Sequence, residues 1–126
     1  MMEIEVKLNQ PAIEAIQRAM QDAALEAMGL LRTEVTTAQV MPFDTGTMQN
    51  ARTSVVQEVL PDAIHTALVT DTPYARRLYF HPEYNFQTAN NANARGRWLR
   101  DWMPGGAQEH WLQTTYESAL KRRLPK

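Results

Sequence analysis

The chain opens on an alternation. Ile4, Val6 and Leu8 share one parity and Glu3, Glu5 and Lys7 the other, which predicts a short half-buried strand over residues 3–8. Asn9 then offers an N-cap side chain, and Pro11 stands in a first helical turn, where its missing N–H costs nothing. From there the period becomes that of a helix. Ile13, Ile16, Met20, Ala23, Ala27, Leu30, Leu31 and Val35 form an apolar stripe, with Glu14, Arg18, Asp22, Glu26 and Arg32 mostly outside it. Pro42 pushes Met41 toward extended backbone, so the helix is expected over residues 11–38, with a length of roughly 40 Å.

Asp44, Thr45 and Gly46 follow as a structural turn or helix-cap cluster. Two runs rich in Val and Thr, residues 53–60 and 63–70, flank Pro61-Asp62 and predict a β-hairpin. Thr72-Pro73 signals a new helix, with Tyr74, Leu78 and Phe80 on one face and an end before Pro82. Residues 81–97 hold Asn85, Asn90, Asn91, Asn93 and Gly96 without a period, so a long loop is expected there, mobile until something binds it. Trp98 and Trp102 are spaced for one helical turn, and Pro104-Gly105-Gly106 breaks the chain. A last helix over residues 107–123 buries Trp111, Leu112, Thr115, Tyr116, Ala119 and Leu120; Lys121, Arg122 and Arg123 suit its C-terminal dipole. The fold class is α+β: a long N-terminal helix packed on a small antiparallel sheet, with a short middle helix and a C-terminal helix.

Composition narrows the class. With 126 residues, 44% hydrophobic and 21% charged, the chain is expected to be one domain over residues 1–126. It has no cysteine, which excludes disulfides, thiolate nucleophiles and Cys-type zinc sites. No apolar run approaches the ~20 residues of a membrane-spanning helix. The start, Met1-Met2-Glu3-Ile4-Glu5, is acidic where a signal peptide would be basic and then apolar, so a soluble cytoplasmic protein is expected. The net charge of −1 hides a gradient. Residues 1–62 carry nine acids and four bases (−5), and residues 63–126 five acids and nine bases (+4). Such a split suits nucleic-acid binding, and equally a subunit whose opposite faces meet head to tail in a ring.

Little catalytic chemistry is visible. Asp44-Thr45-Gly46 matches the aspartic-protease triplet, but a long helix precedes it where that motif needs an all-β setting. His65, His81 and His110 have no metal-ligand spacing, and Ser54 and Ser118 lack a nucleophile setting. Catalytic residues, metal and cofactors are therefore expected to be none. Residues 76–100 differ in character. They hold Arg76, Arg77, Arg95, Arg97 and Arg100 against one acid before Trp98, Glu83, with Tyr79, Phe80, Tyr84, Phe86 and Trp98 interleaved. That mixture occurs on protein interfaces and on single-strand nucleic-acid surfaces. The candidate interface residues are Arg76, Arg77, Tyr84, Phe86, Arg95, Arg97 and Trp98.

Taken in order, Met41-Pro42-Phe43-Asp44-Thr45-Gly46-Thr47-Met48-Gln49-Asn50, Thr72-Pro73-Tyr74-Ala75-Arg76-Arg77-Leu78-Tyr79-Phe80, His81-Pro82-Glu83-Tyr84-Asn85-Phe86 and Asn91-Ala92-Asn93-Ala94-Arg95-Gly96-Arg97-Trp98 resemble the phage minor capsid protein family. That family is similar to tail-completion and head–tail joining proteins, in which an Asp-Thr-Gly turn follows a long helix and a Tyr-Ala helix follows a hairpin. The resemblance implies a non-enzymatic virion protein, a homo-oligomeric ring in the neck of a tailed phage or prophage. Its implied partners are the portal or adaptor, tail proteins and DNA in the channel, without a membrane. It implies residence in the virion, and in the host cytoplasm before assembly. One departure is Phe80-His81-Pro82, where the wider group often carries Glu-x-Gly after the Tyr-Ala helix. The other class of function consistent with these residues is a nucleic-acid-binding module built on residues 76–100.

Overall fold

The computed structural model describes residues 2–42, 47–86 and 88–124. Its order is α1 (Gln10–Ala38), a π-helical turn (Thr47–Ala51), β1 (Thr53–Val59), β2 (Ile64–Thr70), α2 (Ala75–Tyr79), a 3-10 turn (Arg100–Trp102) and α3 (Trp111–Arg123). The fold is α+β, with the long helix laid on a two-stranded antiparallel sheet. The turn residues Asp44, Thr45 and Gly46 lie outside the described residues.

Local chemistry sets both ends of α1. The Asn9 side chain accepts a hydrogen bond from the Ala12 N–H at 3.2 Å, relieving one of the helix's orphan donors. At the other end Gln39 takes the left-handed conformation (φ 56°), and its N–H donates to the Thr36 carbonyl. The buried stripe is Ala19, Ala23, Ala27, Leu31 and Val35, a strict four-residue repeat. Ile16 and Leu30, expected inside, are exposed. The reason is what packs on the helix. α3 approaches through the fully buried Ala119, opposite small residues, while Leu31 and Val35 reach the main core with Val40, Met41, Met48, Ala75, Trp98 and Trp102.

The hairpin pairs Thr53 with Thr70 through to Val59 with Ile64. Thr53, Val55 and Gln57 of β1 and Thr66, Leu68 and Thr70 of β2 lie on the α1 side, and the residues between them face solvent. Polar members of the inner face are satisfied. Thr53 Oγ1 reaches the Met48 carbonyl at 2.6 Å, and Gln57 Nε2 donates to the Gln21 carbonyl at 3.0 Å and to Thr66 Oγ1 at 2.9 Å.

Three expectations are corrected. Residues 3–8 form no strand: Ile4, Val6 and Leu8 are 93%, 77% and 74% exposed, because no sheet edge of the same chain pairs with them. The Asn-rich segment is tied down rather than free. Asn93 donates through its N–H to the Gln39 carbonyl and through Nδ2 to that of Ala38, while Asn91 Nδ2 donates to the Met41 carbonyl and to Gln49 Oε1. These side chains satisfy carbonyls left open where α1 stops. The last helix starts at Trp111 rather than residue 107, after turns in which Glu109 accepts from the Gly105 N–H at 2.8 Å.

The charge gradient along the sequence is partly closed inside the molecule. Glu26 of α1 accepts from Arg123 at 3.1 Å and also pairs with Arg122, both from α3. Hydrogen bonds from Arg123 and then Arg122 hold the Glu26 carboxyl below the ordinary carboxylate range. A depressed folded-state pKa gives stability that is present above the unfolded value and lost as pH falls through the folded one. Glu26→Gln should therefore lose less thermal stability than the native chain between about pH 6 and about pH 3. Parallel thermal melts by circular dichroism check this, and equal acid sensitivity in both chains would refute it.

Candidate interface around the second helix

α2 is five residues long and anchored by one of them. Ala75 is buried against the core, which turns Arg76 and Arg77 outward. Leu78 and Tyr79 pack at the margin of the core, and the chain leaves the helix with Phe80 51% exposed. Tyr79 joins the two environments. Its ring meets buried Trp98 edge-on at 4.8 Å and exposed Phe80 edge-on at 5.1 Å. Burial pushes the Tyr79 phenol up, and the nearby Arg97 charge opposes that shift.

The segment before Trp98 brings a second arginine to this point. The Arg97 N–H donates to the Tyr79 carbonyl at 2.8 Å, and Arg97 itself takes a left-handed conformation (φ 48°). Gly96 makes this possible, since a Cβ there would stand 2.8 Å from Pro82 Cα and 3.0 Å from the Leu78 carbonyl oxygen. The Arg97 guanidinium consequently lies 5.4 Å from the Phe80 ring centre, and that of Arg76, four residues before Phe80, lies 6.0 Å away. One exposed aromatic ring thus carries two cations.

A second cluster adjoins it in sequence. Arg77 Nε donates to the Tyr84 hydroxyl at 3.2 Å and stands 5.9 Å from its ring, and His81 stacks on that ring at 4.7 Å. His81 Nδ1 is 2.7 Å from Glu83, whose carboxyl is held low by that hydrogen bond. Phe86 is half-buried.

The candidate residues therefore divide. Arg76, Arg77, Tyr84 and Arg97 are at or near the surface around α2. Trp98 is 3% exposed and belongs to the core, so it is withdrawn as an interface residue. Its neighbour in sequence faces water, but the turn at Gly96 and Arg97 sends the indole inward onto Tyr79. Arg95 is likewise no free surface cation. It pairs with Asp101 at 2.8 Å, and its N–H donates to the Val40 carbonyl. Phe80, not among the seven candidates, is the centre of the patch. Its i+4 spacing from Arg76 on a short helix was the available signal.

Chemically this face offers planar cations over aromatic rings, suited to a flat polar or anionic partner surface. Among the described residues no three His, Asp or Glu side chains converge as metal ligands would. No helix among them is long and apolar enough to cross a membrane. In comparison with known proteins, no family model matches the chain, and neither a curated relative nor a solved structure does.

Proposed function

We propose that this chain is a non-enzymatic structural subunit of a tailed-phage or prophage virion, one copy of a neck ring that joins the DNA-filled head to the tail. The observation that supports this reading is the order of motifs along an α+β chain. A long helix is followed in sequence by Asp44-Thr45-Gly46, then by the hairpin, then by Tyr74-Ala75 at the head of a short helix. The partners in this reading are further copies of the chain, the portal or adaptor on one side and tail proteins on the other. DNA passes through the ring. A mass-spectrometric inventory of purified particles should contain the protein, and inactivating its gene should leave filled heads and separate tails. Infectious particles that form without it would overturn the reading.

A second reading is a nucleic-acid-binding module, favoured by one observation: the exposed Phe80 ring flanked by Arg76 and Arg97. Binding of that kind falls steeply with salt, as a power of the salt concentration whose exponent grows with the number of phosphates contacted. A titration of single-stranded oligonucleotide at low and at physiological salt separates the two readings, because the neck subunit needs no measurable affinity in either.

A further inference from the structure

The alternating segment at the start of the chain is the least explained part of the molecule. Its apolar face, Ile4, Val6 and Leu8, stands in water, and its other face carries Glu3, Glu5 and Lys7. That is the pattern of a strand without a sheet. The hairpin, for its part, is a sheet without enough strands.

The free edge of β2 is defined by the hairpin's own bonds. The Leu60 N–H donates to the Ala63 carbonyl and the Asp71 N–H to that of Arg52, so the even-numbered residues of β1 are the ones bonded across the ladder. Ile64, Thr66, Leu68 and Thr70 of β2 therefore turn their N–H and C=O groups away from β1. Among the described residues these groups meet no backbone partner in another element. Beside this edge lies an open apolar groove of about 260 Å³, lined by Met20, Ala24 and Met28 of α1, Ile64 of β2, and Leu112 and Tyr116 of α3. No β1 residue lines it. Unpaired edge and apolar groove are thus adjacent, as a docking strand requires.

Dimensions match as well. Ile4 to Leu8 spans about 13 Å in an extended strand, and Met20 to Met28 spans about 12 Å along a helix. The chain's own segment reaches only the near end of the groove. Folded back from Asn9, residues 3–8 cover about 20 Å, which ends level with Ala23, about 20 Å along α1, and places Val6 and Leu8 short of the groove. The groove extends onward to Met28, about 27 Å along it. A segment from another copy has no such tether.

We propose that residues 3–8 of one copy add as a third strand to the free edge of β2 in a second copy, seating Ile4, Val6 and Leu8 in the groove. The inference rests on the self-association within the proposed ring, but not on where in a virion that ring sits. Glu3, Glu5 and Lys7 then remain in solvent on the opposite face of the added strand. Because each copy both gives a strand and receives one, the contact is head to tail and propagates until a ring closes.

The test uses the full chain with Ile4→Glu or Val6→Glu, substitutions at sites already exposed in the monomer. Sedimentation should show self-association weakened by roughly tenfold or more in each, with unchanged circular dichroism, since a carboxylate cannot be left in an apolar groove. A synthetic peptide of residues 2–9, added to isotope-labelled Val6→Glu protein, should shift the amide resonances of Ile64, Thr66, Leu68 and Thr70. It should spare those of Thr53, Val55 and Gln57 on the opposite edge. Association that persists unweakened in both variants would overturn this inference while leaving the ring intact. A native chain that never associates, with a peptide that shifts no β2 amide, would overturn the inference and the ring together. Shifts confined to the β1 edge would place the strand elsewhere and refute the groove.

Discussion

Trp98→Ala is expected to lower the unfolding free energy by about 3–5 kcal/mol, the range for truncating a large buried aromatic. The indole is 3% exposed and sits in one cluster with Leu31, Val35, Met41, Met48, Ala75 and Trp102. It also meets Tyr79 edge-on, a contact that contributes about 0.5–1.5 kcal/mol beyond its area. The cluster is where α1, the π-helical turn, α2 and the segment after residue 97 meet, so the cavity left behind would be lined by several elements at once. For a domain whose whole stability is about 5–15 kcal/mol, this is a large share. Urea unfolding followed by far-ultraviolet circular dichroism reads it as a midpoint lowered by on the order of 2 M, at a slope of about 2 kcal/mol/M. Fluorescence is a poorer probe, since two other tryptophans remain. A midpoint unchanged by the substitution would mean that Trp98 is a surface residue after all.

That substitution also marks the boundary of what the sequence discloses. The long helix was legible because its determinants are local: the Asn9 cap, Pro11 in the first turn and an apolar stripe at helical spacing all act within a few residues. The hairpin was legible for the same reason, with Val and Thr runs around Pro61-Asp62. Residues 3–8 misled because alternation reports only that one face is apolar. Whether a strand forms depends on an edge to pair with, and that edge is not local. The Asn-rich segment misled in the opposite direction. Asn91 and Asn93 look like solvated loop residues, yet their partners lie 50 and 55 positions back at the end of α1. Composition cannot show a bond of that separation. The same holds at the interface, where Arg95, Arg97 and Trp98 read alike and only the turn between them sorts one into an ion pair, one into solvent and one into the core.

Under the proposed neck role, replacing Arg76 and Arg97 together by Glu should leave the protein folded and abolish head–tail joining. Both arginines are exposed, and each guanidinium approaches the Phe80 ring, with the Arg97 charge also near Tyr79. Losing those contacts costs about 0.5–1 kcal/mol each at an exposed site, which a domain of ordinary stability survives. At an interface the same reversal is far more severe. Like charges brought together across a contact cost several kcal/mol, and in a ring the penalty recurs at every copy. The expected result is normal yield and circular dichroism of the purified variant, with infectious titre reduced by several orders of magnitude and filled heads accumulating beside free tails. Arg97→Lys should fall between, because an ammonium keeps the charge but not the planar stacking of a guanidinium on Phe80. Arg95→Glu is the informative contrast. It puts a carboxylate against Asp101, so its damage should show in the melting temperature as well as in the titre. Arg76 and Arg97 variants that assemble into fully infectious particles, with the altered protein present in them, would show that this face joins nothing.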